Sequence, residues 1–243
     1  MHRYFLNIAY DGTPYCGWQR QPNGIAVQEV VEKALSTIMR HEVPITGAGR
    51  TDAGVHALGM TAHFDLDTSI ADTSKLCSNL NSLLPPSIAV NSIDETDPHM
   101  HARFDAKSRR YQYHIVTRKD PFAVNRACRI SQPLDIDAMN QAAQALFDYE
   151  DFTSFSKVHT DVKTFNCTIL YAHWDKTPDG MVLTIEANRF LRNMVRAIVG
   201  TMIDVGTHKI DLNRFRHIIE SKNRCNAGHS VPACGLYFIE AKY

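Results

Sequence analysis

The chain has 243 residues, of which 44% are hydrophobic and 21% are charged, proportions typical of a globular protein with one large core or two smaller ones. No apolar run reaches the roughly 20 residues of a membrane-spanning helix, and the first residues lack the apolar stretch of a signal peptide, so we expect a cytoplasmic protein without a membrane anchor. Lysine plus arginine and aspartate plus glutamate number 26 each, which argues against indiscriminate binding to polyanions.

The first half of the chain has a pattern close to a β-α-β-β-α-β unit. Apolar residues at helical spacing predict a helix over 27–39, and the Pro85-Pro86 pair ends a short helix over 75–84. Apolar and polar residues alternate from Met60 to Asp67, which predicts a half-buried strand. The remaining predicted strands of this half cover 4–10 and 88–93.

The second half repeats the order. A strand over 110–117 places Tyr111, Tyr113 and Ile115 on one face. An amphipathic helix over 139–147 follows, and then two strands over 168–174 and 181–187, which a Thr-Pro-Asp-Gly turn joins. Two helices over 190–205 and 211–221 precede a last strand over 236–243.

These patterns predict an α+β fold of two ferredoxin-like halves, residues 1–105 and 106–243. We expect the halves to join edge to edge into one broad mixed, mainly antiparallel sheet with its helices on one side. The seam would then be a central cleft and the natural place for an active site.

The run from Gly47 to Ala57 carries the strongest functional signal. Asp52 follows Arg50 closely, and Gly47, Gly49 and Gly54 predict backbone conformations that a Cβ forbids, together with close approach of a flat ligand. A carboxylate on such a loop can form a turn, cap a helix, or act as a general base or a nucleophile. The loop by itself leaves these alternatives open.

A second signal is the mixture of basic and aromatic residues between 103 and 119. Six basic residues stand here against one acid, Asp105, and Phe104, Tyr111 and Tyr113 lie among them. Such a mixture suits phosphate contacts and base stacking, although a strand edge protected by charge has the same composition.

The predicted helix at 190–205 is apolar around most of its circumference. Arg189, Arg192, Asn193 and Arg196 recur every three or four positions and predict a narrow polar stripe along it. Because a buried arginine needs an anionic partner, a carboxylate or a phosphate should face this stripe. Asp52 is one candidate partner for Arg196, and a structural ion pair with another acid is the alternative.

Metal and disulfide sites are poorly supported. His99 and His101 could hold a metal, but no second cluster accompanies them, so we predict no metal. The cysteines form no CxxC pair and are expected to be free, largely buried thiols. They are Cys16, Cys77, Cys128, Cys167, Cys225 and Cys234.

Six motifs in order and spacing resemble the tRNA pseudouridine synthase A family, over essentially the whole chain. The loop around Asp52 is the most specific of them. The motifs are Ala9–Thr13 with Gly17–Asn23, Gly49–Ala57, Arg109–Tyr113, Asp151–Phe155, Phe190–Arg196 with Val199–Thr201, and Gly235–Tyr237. Two features depart from the pattern. One is Cys234, and the other is the stretch 163–167, which lacks an arginine that many relatives have. These departures put an RNA contact of the stretch 163–167 in doubt.

The resemblance implies a cofactor-free, metal-free isomerase that converts uridine to pseudouridine in the anticodon stem-loop of tRNA and works as a homodimer. It implies that Asp52 is the nucleophile and that Tyr111 stacks on the target base and takes part in proton transfer. Arg196 would pair with the catalytic carboxylate, and Arg50 would help to displace and hold the nucleotide. Weaker candidates for RNA contacts are Arg109, Arg110, Arg189 and Arg192.

Three rival functions fit the sequence less well. A glycoside or nucleoside hydrolase would release free uracil from RNA. Most such enzymes use two carboxylates, and no second acid here has a comparable glycine-framed setting. A non-catalytic RNA-binding protein would explain the basic and aromatic stretch but gives the Asp52 loop no purpose. An aspartic protease is disfavoured because the order Thr51-Asp52-Ala53-Gly54 does not fit its motif and occurs once.

Overall fold

A computed structural model describes residues 1–22, 24–158 and 162–243. Asn23 of the opening motif lies outside the described residues. The strands, in chain order, are β1 (His2–Tyr10), β2 (Thr46–Gly47), β3 (His56–Leu66), β4 (Ile88–Thr96), β5 (Ser108–Val116), β6 (Cys128–Arg129), β7 (Ile169–Thr177), β8 (Gly180–Ala187) and β9 (Leu236–Lys242). The α-helices are α1 (Val27–Met39), α2 (Thr73–Leu83), α3 (Ile136–Ala145), α4 (Met194–Gly206) and α5 (Leu212–Glu220).

The predicted fold class is confirmed: the described residues form an α+β fold, with nine strands in mixed, mainly antiparallel sheet. The backbone divides into two compact units, one of residues 1–107 with 237–243 and one of residues 108–236. Nearly all of β9, the last strand, thus belongs with the first unit. In the part of the chain that the structure describes, no helix is long and apolar enough to cross a membrane.

In the first unit, β1 lies between β4 and β3 and is antiparallel to both. The short β2 pairs with β3, and β9 runs parallel to β3, with His56 opposite Tyr237. Alternate residues of β1 are fully buried, and the ring of Tyr4 stacks on Phe64 with centroids 5.4 Å apart. Burying each such large side chain stabilises the fold by about 1.5–3 kcal/mol.

The predicted half-burial of the strand at 60–67 is wrong. Polar Thr61 and His63 of β3 are buried as well as the apolar residues that alternate with them. The buried imidazole of His63 has a partner, since its Nδ1 accepts a hydrogen bond from the backbone N–H of Ala102 at 3.2 Å.

In the second unit, β8 lies between β5 and β7 and is antiparallel to both. The two-residue β6 adds to β5 in parallel. Trp174 is fully buried and its indole N–H points at the sulfur of Met202 on α4 at 3.3 Å. The aromatic rings of Phe155 and Phe215 lie 6.3 Å apart and extend this core.

The expected helix start at 190 is wrong, because α4 begins at Met194. Asn193, the residue before it, has φ 67° in the left-handed region and interrupts the helical path. The backbone N–H of Leu191 points at the Met194 sulfur at 3.5 Å instead of at a helical carbonyl. The other helices begin within about three residues of the expected positions, an ordinary uncertainty for helix ends.

Candidate active site

Asp52 lies on a tight turn between β2 and β3, with its side chain partly exposed. The backbone N–H of Val55 donates to the Asp52 carbonyl at 3.2 Å and closes the turn. Gly54 occupies the third position with φ 78°, the left-handed conformation that a type II turn requires there. The turn therefore fixes the backbone from which the carboxylate projects.

The residues from Asp11 to Trp18 follow β1 and support this turn; we call them the bracing segment. The hydroxyls of Tyr10 and Thr51 are 2.9 Å apart and hydrogen-bonded in a buried position. The Trp18 backbone N–H donates to the Thr51 carbonyl at 3.3 Å, and the Gly54 N–H donates to the Tyr15 carbonyl at 3.4 Å. Thr51 and Gly54, on either side of Asp52, are thus both tied to residues far from them in sequence.

Two glycines of the bracing segment allow it to lie this close. A Cβ on Gly12 would come within 2.0 Å of the Val55 carbonyl oxygen, and one on Gly17 within 2.3 Å of the Thr51 carbonyl oxygen. Side chains at these two positions would push the segment away from the turn. Close packing of two backbones, as well as turn geometry, therefore explains the glycine content of these motifs.

The predicted roles of the loop glycines need correction. Gly54 has the expected positive φ, but Gly47 and Gly49 do not. A Cβ on Gly47 would come within 2.5 Å of the Trp18 indole nitrogen, so Gly47 is required by side-chain packing. A Cβ on Gly49 would meet nothing within 4 Å, so neither conformation nor packing requires glycine there.

Arg50 lies on the same loop as Asp52 and is exposed. Among the described residues, no hydrogen bond or ion pair engages its guanidinium group. The five donors of this group therefore face solvent, where a phosphate or a nucleotide can reach them.

Tyr111 lies in the second unit, on the buried face of β5 together with Tyr113 and Ile115, as predicted. Its ring meets Phe190 edge to face, with centroids 5.2 Å apart and planes at 88°. Tyr113 donates its hydroxyl to the Pro232 carbonyl at 2.9 Å, and burial raises its pKa far above the ordinary value. Tyr113 is therefore a structural, permanently protonated phenol.

Arg109 and Arg110, which precede Tyr111, have different surroundings. The Arg110 guanidinium donates two hydrogen bonds to one carboxylate oxygen of buried Glu186, from Nε at 2.9 Å and from Nη2 at 2.7 Å. The other Glu186 oxygen accepts a hydrogen bond from the Ser108 hydroxyl at 2.6 Å. The Arg109 Nη1 donates to the Asn188 carbonyl at 2.9 Å near the surface. The Arg110 guanidinium is thus held by a buried carboxylate.

The predicted polar stripe on one helix is wrong, because Arg196 alone of the three arginines lies on α4. Arg189 and Arg192 belong to the non-helical segment before it. Arg189 reaches the Thr164 carbonyl at 3.5 Å, while Arg192 is exposed and accepts a backbone hydrogen bond from Lys157. The Arg196 Nε donates to the Val231 carbonyl at 2.8 Å, and this hydrogen bond fixes the position of the Nε atom of the guanidinium group.

Sequence reasoning missed the residues that support the Asp52 turn: Tyr10, Trp18 and His56. The imidazole of His56 is buried, stacks on the Tyr237 ring and accepts a hydrogen bond from the Gly12 N–H. The signal for them was present, because these residues stand inside the motifs that carry the family resemblance. Their partners in the supporting contacts lie far away in sequence, 41 residues for Tyr10 and 44 for His56, so no local pattern reveals them.

The described residues contain no group of three His, Cys, Asp or Glu side chains that could hold a metal ion. His101 Nδ1 instead accepts hydrogen bonds from the backbone N–H groups of Arg103 and Phe104. All six cysteines are free, but the prediction that they are largely buried is wrong: Cys128 and Cys167 are buried, Cys225 is exposed and the others are intermediate.

The family model described as tRNA pseudouridine synthase matches residues 7–105 and 142–243. The chain belongs to the tRNA pseudouridine synthase family. Each unit of the structure contributes a matched segment, and the family members are isomerases, so the resemblance inferred from the six motifs is confirmed.

Similar proteins extend over the full chain. It is 53% identical to the tRNA pseudouridine synthase A of Parabacteroides distasonis, covering 100% of this chain and 96% of that protein. It is 52% identical to the protein of the same name from Bacteroides fragilis, covering 100% of this chain and 97% of that protein. A more distant relative of that name, from an Exiguobacterium species, is 39% identical over 100% of this chain and 98% of its own length.

Proposed function

We propose that this chain converts uridine to pseudouridine in the anticodon stem-loop of tRNA, with Asp52 as its catalytic carboxylate and without a cofactor or metal. The observation that carries this is the braced turn, which fixes Asp52 from both sides while leaving its side chain partly exposed. Such preorganisation is what a nucleophile or a general base needs.

The reaction suits a single carboxylate. The bond between ribose C1′ and uracil N1 breaks, the uracil rotates, and a bond forms between C1′ and C5. N1 gains a proton and C5 loses one, so atoms and electrons balance without an oxidant or a leaving group. Asp52 can attack the sugar, attack the base, or remove a sugar proton that triggers release of the base.

The other proposed roles follow from charge and shape. Arg50, whose donors face solvent, would hold a displaced nucleotide, because turning a stacked base out of an RNA helix costs a few kcal/mol. Tyr111 would stack on the target base and exchange a proton through its hydroxyl. Arg196 would pair with the Asp52 carboxylate and keep it ionised.

Four further arginines are proposed to contact the RNA, and their surroundings rank them. The Arg109 and Arg189 side chains donate to backbone carbonyls and Arg192 is exposed, so the three are proposed to contact phosphates. Arg110 is the weakest of the four, because its guanidinium already binds Glu186.

We also propose a homodimer acting in the cytoplasm, where tRNA is available as substrate. The oligomeric state is tested by sedimentation at several protein concentrations, with and without tRNA. A free protein at the mass of one chain, 27.4 kDa, together with a complex that holds one chain per tRNA, would contradict the dimer.

The central experiment uses unmodified tRNA tritiated at uracil C5. The wild-type protein should release tritium to water and form pseudouridine, and mapping of the product should place it in the anticodon stem-loop. Asp52→Asn should bind the same tRNA with unchanged affinity and release no tritium. Asp67→Asn, a matched change of an exposed aspartate, should behave as the wild type.

The rivals give different products in the same experiment. Free uracil in the supernatant would identify a hydrolase. Binding without release of either tritium or uracil would identify an RNA-binding protein without this activity. Full turnover by Asp52→Asn would refute the role of the carboxylate.

A further inference from the structure

His56, the first residue of β3, is buried next to the candidate active site, with 3% of its surface exposed. Its ring lies nearly parallel to that of Tyr237, with centroids 4.6 Å apart and planes at 23°. Its Nδ1 accepts a hydrogen bond from the Gly12 backbone N–H at 3.1 Å. The imidazole thus joins β9 on one side to the bracing segment on the other.

The second ring nitrogen shows that stacking alone does not explain a histidine here. When Nδ1 accepts, the proton of a neutral imidazole sits on Nε2. The Nε2 atom is buried, and no described residue provides it with a hydrogen-bond partner. A buried donor without an acceptor costs free energy, and a phenylalanine would stack on Tyr237 without that cost. The histidine is therefore explained by the bond that its Nδ1 makes.

That bond reaches the Asp52 turn through a short chain of contacts. The Gly12 carbonyl accepts a hydrogen bond from the Tyr15 N–H at 3.0 Å, and the Tyr15 carbonyl accepts one from the Gly54 N–H at 3.4 Å. Gly12 also packs so closely on the Val55 carbonyl that a Cβ would come within 2.0 Å of the oxygen. The imidazole therefore holds the segment that holds the turn.

We propose that His56 is a positioning residue for Asp52, through the hydrogen bond that its Nδ1 accepts from the Gly12 N–H. This inference rests on the proposed function, because its consequence is the aim of the Asp52 carboxylate. His56 itself need not touch the substrate. A displacement of about 1 Å in a catalytic group can cost a hundredfold in rate, and loss of the Gly12 bond would release the segment that prevents such a displacement.

The test compares three variants in single-turnover tritium release at saturating tRNA. His56→Phe keeps the stacked ring but removes the acceptor, and should lower the rate about a hundredfold with unchanged tRNA affinity. His56→Asn supplies an amide oxygen near the Nδ1 position and should recover most of the rate. The matched control is His63→Phe, since His63 is also buried on β3 and also accepts a backbone N–H; it should keep the wild-type rate.

Recovery of the rate by His56→Asn, which restores an acceptor near the Nδ1 position without the aromatic ring, is a readout that a merely structural role would not give. Equal rates for His56→Phe and wild type, or equal losses in His56→Phe and His63→Phe, would overturn the inference. Asp52→Asn, measured in parallel, separates the two failures: an inactive wild type refutes the proposed function, whereas an active wild type with unaffected His56→Phe refutes the positioning role alone.

Discussion

The Asp52 carbonyl accepts a hydrogen bond from the Val55 N–H at 3.2 Å, and this bond closes the turn on which the candidate catalytic side chain stands. Between these two residues, Gly54 adopts φ 78°. A residue with a Cβ is strained in this region by about 1 kcal/mol or more. The conformation at Gly54 therefore sets the direction of the backbone at Asp52.

Gly54→Ala should lower the free energy of unfolding by about 1–2 kcal/mol and reduce tritium release more than tRNA binding. Gly49→Ala is the control for stability, because a Cβ there meets nothing within 4 Å and the φ angle is not positive. It should leave the free energy of unfolding unchanged. Urea titrations of both variants measure the difference, and equal unfolding midpoints would contradict the strain at Gly54.

Substitutions at Arg110 and Arg109 should have different effects, the first on the free energy of unfolding and the second on tRNA binding. Arg110→Gln leaves the Glu186 carboxylate buried without its guanidinium partner. Because Arg110 is itself about one-third exposed, we expect a loss of about 2 kcal/mol in unfolding free energy, below the 3–5 kcal/mol of a fully buried pair. Adding Glu186→Gln should restore part of this stability, whereas an additive loss would argue against the pair.

Arg109→Gln should leave the free energy of unfolding within about 0.5 kcal/mol of wild type, as for most surface substitutions. It should weaken tRNA binding and make the affinity less dependent on salt, because each lost phosphate contact reduces counterion release. Filter binding at several salt concentrations measures both effects. A salt dependence identical to that of the wild type would exclude a phosphate contact by Arg109.

The parts of the fold that follow local periodicity could be predicted from sequence. The helix α1 begins and ends at the expected residues, Val27 and Met39, because its apolar face repeats at helical spacing. The start of α4 could not, since it depends on the left-handed Asn193. The two-residue β2 has no pattern of its own and exists by pairing with β3.

The candidate site was predictable to a similar degree. Asp52 stands out because glycines and an arginine frame it within a few residues. No local feature of the sequence marks His56 or Trp18 as part of the site. His56 contributes through its contact with Gly12, and Trp18 through its contact with Thr51, and each partner is distant in sequence. Likewise, no feature of the sequence distinguishes the arginine that binds Glu186 from its neighbour at 109.

Phenylalanine substitutions at Tyr111 and Tyr113 test whether the Tyr111 hydroxyl takes part in proton transfer, with Tyr113 as the matched control. Tyr111→Phe keeps a ring that can stack on a base, so tRNA affinity should persist, while loss of the proton-exchanging hydroxyl should lower the rate about a hundredfold. Tyr113→Phe removes the hydrogen bond to the Pro232 carbonyl and should cost about 1 kcal/mol of stability with the rate retained. Equal rates in the two variants would remove Tyr111 from proton transfer.

His63 should give the protein a measurable sensitivity to acid. Burial, together with the nearby positive charge of Arg3, lowers the pKa of His63 from 6.5 to about 4. Since the folded state disfavours the protonated ring, this histidine's contribution to stability is complete above about pH 6.5 and is lost as the pH falls toward 4. The slope within this window approaches 1.4 kcal/mol per pH unit.

His63→Asn tests this sensitivity, because an amide oxygen can still accept the Ala102 N–H but does not titrate. Urea unfolding between pH 4 and 7 should show a steeper loss of stability for the wild type than for the variant. Titration of Asp65 does not affect this comparison. Its hydrogen bond to Arg3 lowers the pKa of the carboxyl below the ordinary 3.8, so in the folded state it titrates below this pH window. Parallel curves would mean that His63 is protonated in the folded state as readily as in the unfolded chain.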